Sequence, residues 1–158
     1  MEALRFACDA MLGRLARWLR FAGFDAIYDA QVPDRLLAAL ARSEGRWLLT
    51  RDRRLAAAAG PRVLLIRGAT LAGQVAELRA RLPLEADPKR YLSRCSSCNG
   101  VLDAAGRDDV RDRVPPFVAA TAPHFLTCRA CDKVYWPGSH VGRITAKLEA
   151  LFGRKETC

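Results

Sequence analysis

The sequence predicts an α/β fold, a parallel sheet flanked by helices, followed by a smaller segment organised by cysteines. Over residues 1–84, short apolar runs alternate with stretches whose apolar residues recur every three or four positions, the pattern of strands joined by helical crossovers. Those runs are continuously apolar instead of alternating with polar residues, as strands covered on both faces require. After "PLEADPKRY" the pattern stops, prolines and glycines become frequent, and four of the six cysteines appear as two pairs.

Taken in order, "LRFAC" (Leu4 to Cys8) is the first strand. In "AMLGRLARWLRFAG" the residues Leu12, Leu15, Ala16 and Leu19 share a helical face, and Gly23 is the stop. "AIY", around Ile27, is the second strand, and "PDRLLAALARSEG" reads as a helix capped by Asp34 and ended by Gly45. "RWLLT" is the third strand, "RRLAAAA" a short helix, "RVLLIR" the fourth strand, and a long helix runs from about Leu71 to Leu82. Right-handed crossovers lay such strands in one parallel sheet. The expected division is an α/β domain over 1–84 and a cysteine-bearing domain with a C-terminal extension over 90–150, the boundary falling between Pro83 and Lys89.

With 158 residues, 51% of them apolar, the chain can bury the core of one domain plus a small appendage. It has no run of about 18 uncharged apolar residues, and "MEALRFACDAM" lacks the pattern of a secretory leader, so a cytoplasmic protein without a membrane span is expected. A net charge of +9 favours polyanionic partners, nucleic acid first, because clustered Arg and Lys displace counterions from a phosphate backbone.

In an open parallel sheet, functional groups collect beyond the carboxyl ends of the strands. Asp9 directly follows the first strand, Asp52 follows the third after one arginine, Asp34 opens the helix after the second, and Asp29 lies in the loop before it. These four converge on one edge, whereas Asp25 precedes the second strand and reads as a turn residue at the opposite end. Carboxylates gathered in this way repel one another unless cations sit between them, and hard oxygen ligands suit Mg²⁺ or Mn²⁺. Such ions generate hydroxide and stabilise a phosphate under in-line attack, which points to phosphodiester hydrolysis. Arg51, Arg53 and Arg54 crowd the same rim, and Arg14, Arg17 and Arg20 recur along the first helix, so both sets are expected to hold a phosphate backbone. The plainer alternatives are helix capping for Asp34 and Asp52, a structural role for Asp9, and a solvated face for the helical arginines.

"RCSSCNG" supplies Cys95 and Cys98, and "TCRACDK" supplies Cys128 and Cys131. Two CxxC knuckles separated by a loop are the pattern of a four-thiolate zinc ribbon, a closed and therefore structural site. His124 and His140 are then spare, Cys8 is a small buried hydrophobe, and Cys158 is a terminal thiol without a role. In "KVYWPGSH", Tyr135 and Trp136 either stack a base or pack the ribbon against the first domain, the second being preferred.

Together "FACDAMLGRLARWLRFAGFD", "LLTRDRRL", "RCSSCNG", "VPPFV" and "KVYWPGSH" resemble, in this order, the Mut-seven C-terminal RNase domain family, from about Leu4 to about Leu148. The resemblance implies a PIN-like nuclease domain with a zinc ribbon and Mg²⁺- or Mn²⁺-dependent ribonuclease activity on RNA. Carried onto this sequence, the acidic site falls on Asp9, Asp34 and Asp52, with Thr50 hydrogen bonding a water or a carboxylate and Asp29 as a weak fourth acid. A homodimer, as many PIN domains form, and control by an inhibitor protein are further partner classes left open. Two rivals remain: a non-catalytic nucleic-acid-binding zinc-ribbon protein, and a phosphoacceptor receiver domain. The receiver needs an acidic pair after the first strand, where Ala10 follows Asp9, and a lysine where Arg67 stands.

Overall fold

A computed structural model describes residues 3–153, so Cys158 lies outside the described residues. The first half alternates as expected: β1 (Arg5–Cys8), α1 (Gly13–Phe21), β2 (Asp25–Tyr28), α2 (Asp34–Ser43), β3 (Trp47–Thr50), α3 (Arg53–Ala58), β4 (Val63–Leu65) and α4 (Leu71–Arg81). The strands form one parallel sheet in the order β2-β1-β3-β4. Alternate residues of each strand therefore serve different layers. Phe6, Cys8 and Leu49 face a large core with Leu15, Leu19, Val75 and Leu78 of α1 and α4. Ala7 and Leu48 face a smaller one with Leu37, Ala38 and Ala41 of α2. This is the α/β class that the apolar runs predict, a parallel four-stranded sheet flanked by helices.

Local chemistry sets the element ends. Thr70 caps α4 through Gly73 N, and Asp52 caps α3 by accepting from Arg54 N and Leu55 N. Gly23 ends the first helix with φ +89, and a Cβ there would also lie 2.5 Å from the Arg90 carbonyl oxygen, so the position admits no side chain on two grounds. Asp34 does not cap α2 as expected: Pro33 occupies the cap, and Asp34 is the first helical residue, where its negative charge suits the helix N-terminus.

The second half holds an antiparallel sheet β5-β6-β7 (Leu102–Ala105, Phe125–Cys128 and Val134–Tyr135) with short helices α5 (Arg107–Val110) and α6 (Pro116–Thr121) between its first two strands. A final helix, α7 (Ser139–Phe152), was not foreseen. It turns back onto the first half: Leu148 and Phe152 enter the core of α1 and α4, the Phe152 ring centroid lies 6.2 Å from that of Phe24, and Lys147 sits 4.8 Å from the Trp18 ring. Arg79 of α4 donates to the carbonyls of Leu151 and Gly153, satisfying the helix end. No helix among the described residues is long and apolar enough to cross a membrane.

Candidate active site and metal centre

The strand order reverses beside β1: the chain steps outward to β2, then returns to place β3 on the other side. Ligands of open α/β sheets bind in the crevice at such a switch point, beyond the strand carboxyl ends. The pairing Cys8↔Leu49 brings Asp9 beside Thr50 there, and Cys8↔Tyr28 puts Asp9 and Asp29 at the same level of neighbouring strands.

Asp9 is 4% exposed and held by three donors. Its Oδ2 accepts from Thr50 Oγ1 at 2.5 Å and from Arg51 N at 2.8 Å, while Oδ1 accepts from Met11 N at 3.0 Å. The buried Thr50 hydroxyl also accepts from Asp52 N at 2.9 Å. One hydroxyl thus ties the first carboxylate to the backbone that carries the third. Asp52 Oδ1 caps α3, and among the described residues no hydrogen bond or ion pair engages its Oδ2 or the exposed Asp34. These free oxygens are of the hard type that a divalent cation takes. Asp29 is exposed and closes its own turn by accepting from Gln31 N at 2.8 Å. The acids share the edge without merging: among the described residues, the four cysteines alone bring three or more candidate ligand atoms within 4.8 Å of one another.

The arginines divide. Arg53 and Arg54 are exposed at the start of α3, beside the acidic edge, and Arg51 is half-buried with Nη1 bonded to the Gly68 carbonyl. Arg14 and Arg17 are exposed on α1, Arg17 lying 5.6 Å from the Phe21 ring. Arg20 corrects the expectation of a surface stripe. It is 4% exposed, and its Nε and Nη1 donate to the carbonyls of Ala26, Ser96 and Ser97, so it is buried in a structural joint and not displayed on the helix surface with Arg14 and Arg17.

The four cysteines meet as their spacing predicts. Cys95 Sγ lies 3.6 Å from Cys131 Sγ, and Cys98 Sγ lies 3.3 Å from Cys128 Sγ. Tetrahedral zinc with Zn–S bonds of about 2.3 Å separates its sulfurs by roughly 3.8 Å, close to this packing. The donor set therefore fits a metal such as zinc. Gly100 makes the approach feasible, since a Cβ there would lie 2.6 Å from Cys128 Sγ. Tyr135 Oη is 3.0 Å from Cys95 Sγ, which ties the aromatic of β7 to the sulfur cluster. Burial opposes the Cys95 thiolate, yet hydrogen bonds from Tyr135 and from the backbone at Cys98 and Ser97 bring its thiol down to about 6. Burial pushes Cys98 up to about 12, and the neighbouring sulfurs add to it. Cys8, which is not part of this cluster and is fully buried, is driven by desolvation to about 12 and is inert. His124 and His140 are exposed and outside the cluster.

The family model of the Mut7-C RNAse domain matches residues 4–148. The chain belongs to the Mut7-C RNase domain family. Comparison with curated proteins gave no match, nor did comparison with solved structures. The matched span of this Mut7-C chain runs from the residue before β1 into α7, so the acidic edge and the cysteine cluster both lie within it.

Sequence reasoning missed the partners of Asp25. This residue opens β2 and is not a turn residue: it pairs with Arg46 at 2.6 Å and accepts from Asn99 Nδ2 at 2.7 Å, with Arg94 at 3.9 Å. Burial alone would raise its carboxyl, but the hydrogen bonds from Arg46 and Asn99 hold it below the usual range. The available signal was the asparagine in "CSSCNG", a residue that tolerates the left-handed backbone of a knuckle turn and carries both a donor and an acceptor.

Proposed function

We propose that this protein is a cytoplasmic metal-dependent ribonuclease, in which Asp9, Asp34 and Asp52 hold Mg²⁺ or Mn²⁺ and Cys95, Cys98, Cys128 and Cys131 hold a structural zinc. The observation that carries the reading is the Asp9–Thr50–Asp52 linkage at the switch point of a sheet belonging to an RNase family. A hard divalent cation bound there would lower the pKa of a water and offset charge on the scissile phosphate. The chain's own part is positional. Thr50 and Arg51 N fix the Asp9 carboxylate, and the α3 cap holds one Asp52 oxygen while leaving the other unengaged. Arg53 and Arg54, with Arg14, Arg17 and Arg51, supply charge for the RNA backbone against the repulsion of the acids.

A second reading, binding of nucleic acid without cleavage, draws on the three donors that occupy Asp9 and on the separation of the acids from one another. The two are distinguished by incubating the protein with labelled single-stranded RNA in Mn²⁺ or Mg²⁺, beside an EDTA control and the Asp9→Asn variant. Cleavage that requires both metal and Asp9 is expected. RNA retained intact under every metal, with binding unchanged in EDTA, would establish the binding protein instead.

A further inference from the structure

Among the described residues β2 is an edge strand, paired only with β1. An open strand edge exposes backbone donors and acceptors that native proteins cover. At Ala26 both main-chain groups find partners outside the sheet. Its N–H donates to Asn99 Oδ1 at 3.0 Å, and its carbonyl accepts from Arg20 Nε at 2.8 Å. Arg20 Nη1 continues to the carbonyls of Ser96 and Ser97, each at 3.1 Å. Asn99 Nδ2 reaches Asp25 Oδ1 at 2.7 Å, and Arg94 Nη1 supports the turn by donating to the Asn99 carbonyl at 2.9 Å.

All three knuckle residues in this joint are placed by the metal-binding turn. Ser96 and Ser97 lie between Cys95 and Cys98, and Asn99 follows directly. Asn99 has φ 71, in the left-handed region, and the next residue is the glycine that lets Cys128 approach. The backbone shape that presents Asn99 to the sheet is therefore the shape that closes the sulfur cluster. Ala26 is fully buried and Arg20 nearly so. Release of the knuckle would leave a buried amide and a buried guanidinium short of partners, which is more costly than the bonds themselves are favourable.

We infer that metal loading of the four cysteines latches β2 and the end of α1, so that the ribbon transmits its metal state to the sheet bearing the acidic edge. β2 lies one strand from Asp9, with Cys8 and Tyr28 paired at the last register position before that edge. The coupling is reciprocal by linkage: removing the metal loosens β2, and breaking the latch at Asn99, which is not a ligand, weakens metal binding. The inference rests on the zinc assignment of the preceding subsection and is independent of whether the acidic edge cleaves RNA.

Hydrogen exchange of the full-length protein tests it, with zinc removed by a chelator and then restored, zinc content being measured in parallel. Peptides covering residues 24–28, 47–50 and 95–101 report β2, β3 and the first knuckle. Zinc removal is expected to accelerate exchange of 24–28 and 95–101 by about tenfold or more while 47–50 changes little. Asn99→Gly, which keeps the left-handed backbone and removes only the side chain, is expected to bind zinc roughly tenfold more weakly and to exchange faster at 24–28 even when loaded. Unchanged exchange at 24–28 while 95–101 opens would overturn the latch. Equal acceleration at 47–50 would overturn it too, because the metal would then hold the whole chain and not this edge. If Asn99→Gly does not fold, the zinc-removal arm on the unsubstituted protein decides alone. A chain that takes up no zinc would refute the zinc assignment itself, and the inference with it.

Discussion

Replacing Asp9 or Asp52 by asparagine removes the same charge from the same edge, yet the two substitutions should differ in stability. Asp9 accepts from three donors with both oxygens, two on Oδ2 and Met11 N on Oδ1. Asparagine has one acceptor oxygen, so if that oxygen keeps Thr50 and Arg51, its amide group is turned against the Met11 N–H. One charge-assisted bond is lost outright, a donor meets a donor, and two remaining bonds fall to neutral strength, a penalty of about 2 kcal/mol in a site that is 4% exposed. For a chain of this size that corresponds to a Tm lower by roughly 4–8 °C. In Asp52 both capping bonds converge on Oδ1, while Oδ2 is free to become an amide. Asp52→Asn should therefore unfold within about 0.5 kcal/mol of the unsubstituted protein, since asparagine caps helices as well as aspartate does. Thermal and urea unfolding of the two variants, beside cleavage of labelled RNA, separates stability from chemistry. Both should lose cleavage and Asp9→Asn alone should lose stability. Equal stabilities would refute the hydrogen-bond assignment at Asp9, and full cleavage by either variant would remove that residue from the proposed metal site.

Other outcomes follow from the same geometry. Because the Asp25 carboxyl is held below its unfolded value near 3.9, its contribution is present above that pH and fades as pH falls through the lower folded value. Urea midpoints measured at about pH 6 and about pH 3 should thus converge for Asp25→Asn, and an unaltered acid limb would contradict the Arg46 and Asn99 contacts. Phe152→Ala should destabilise by about 3–5 kcal/mol, since the ring is 2% exposed in the principal core, and a loss below about 1 kcal/mol would mean that α7 does not dock there. Gly100→Ala should weaken zinc uptake by at least about tenfold, because the added methyl meets Cys128 Sγ; an unchanged stoichiometry and affinity would show that the turn can yield.

The parts legible in the sequence were those dictated by local pattern. Continuous apolar runs gave the parallel strands, the strand-end rule put Asp9 and Asp52 on one edge, the family resemblance added Thr50 between them, and cysteine spacing gave the sulfur cluster. Contacts between distant parts of the chain were not legible. Asp25 and Asn99 lie 74 residues apart, and no periodicity announces their bond. Arg20 was misjudged for a geometric reason: steps of three residues rotate about 60° short of a full turn, so the third arginine of the series has swung about 120° from Arg14 into the interior. The helix over Ser139–Phe152 carries its own signal in Ile144, Leu148, Leu151 and Phe152, spaced for one face, but its docking partners lie more than sixty residues away in α1 and α4.

The return of α7 has a consequence for how the protein is made. Phe6 and Phe24 are synthesised more than a hundred residues before Leu148 and Phe152, which complete the core that shelters them. A nascent chain that has finished its four parallel strands still lacks part of its apolar cover. At about 5–20 residues per second, the span from α4 to the end of α7 leaves that face bare for several seconds. During this interval Phe24, Trp18 and Phe21 present a greasy surface of the kind that chaperones bind, and expression at high rate should divert material into aggregates before the last helix arrives to close the fold.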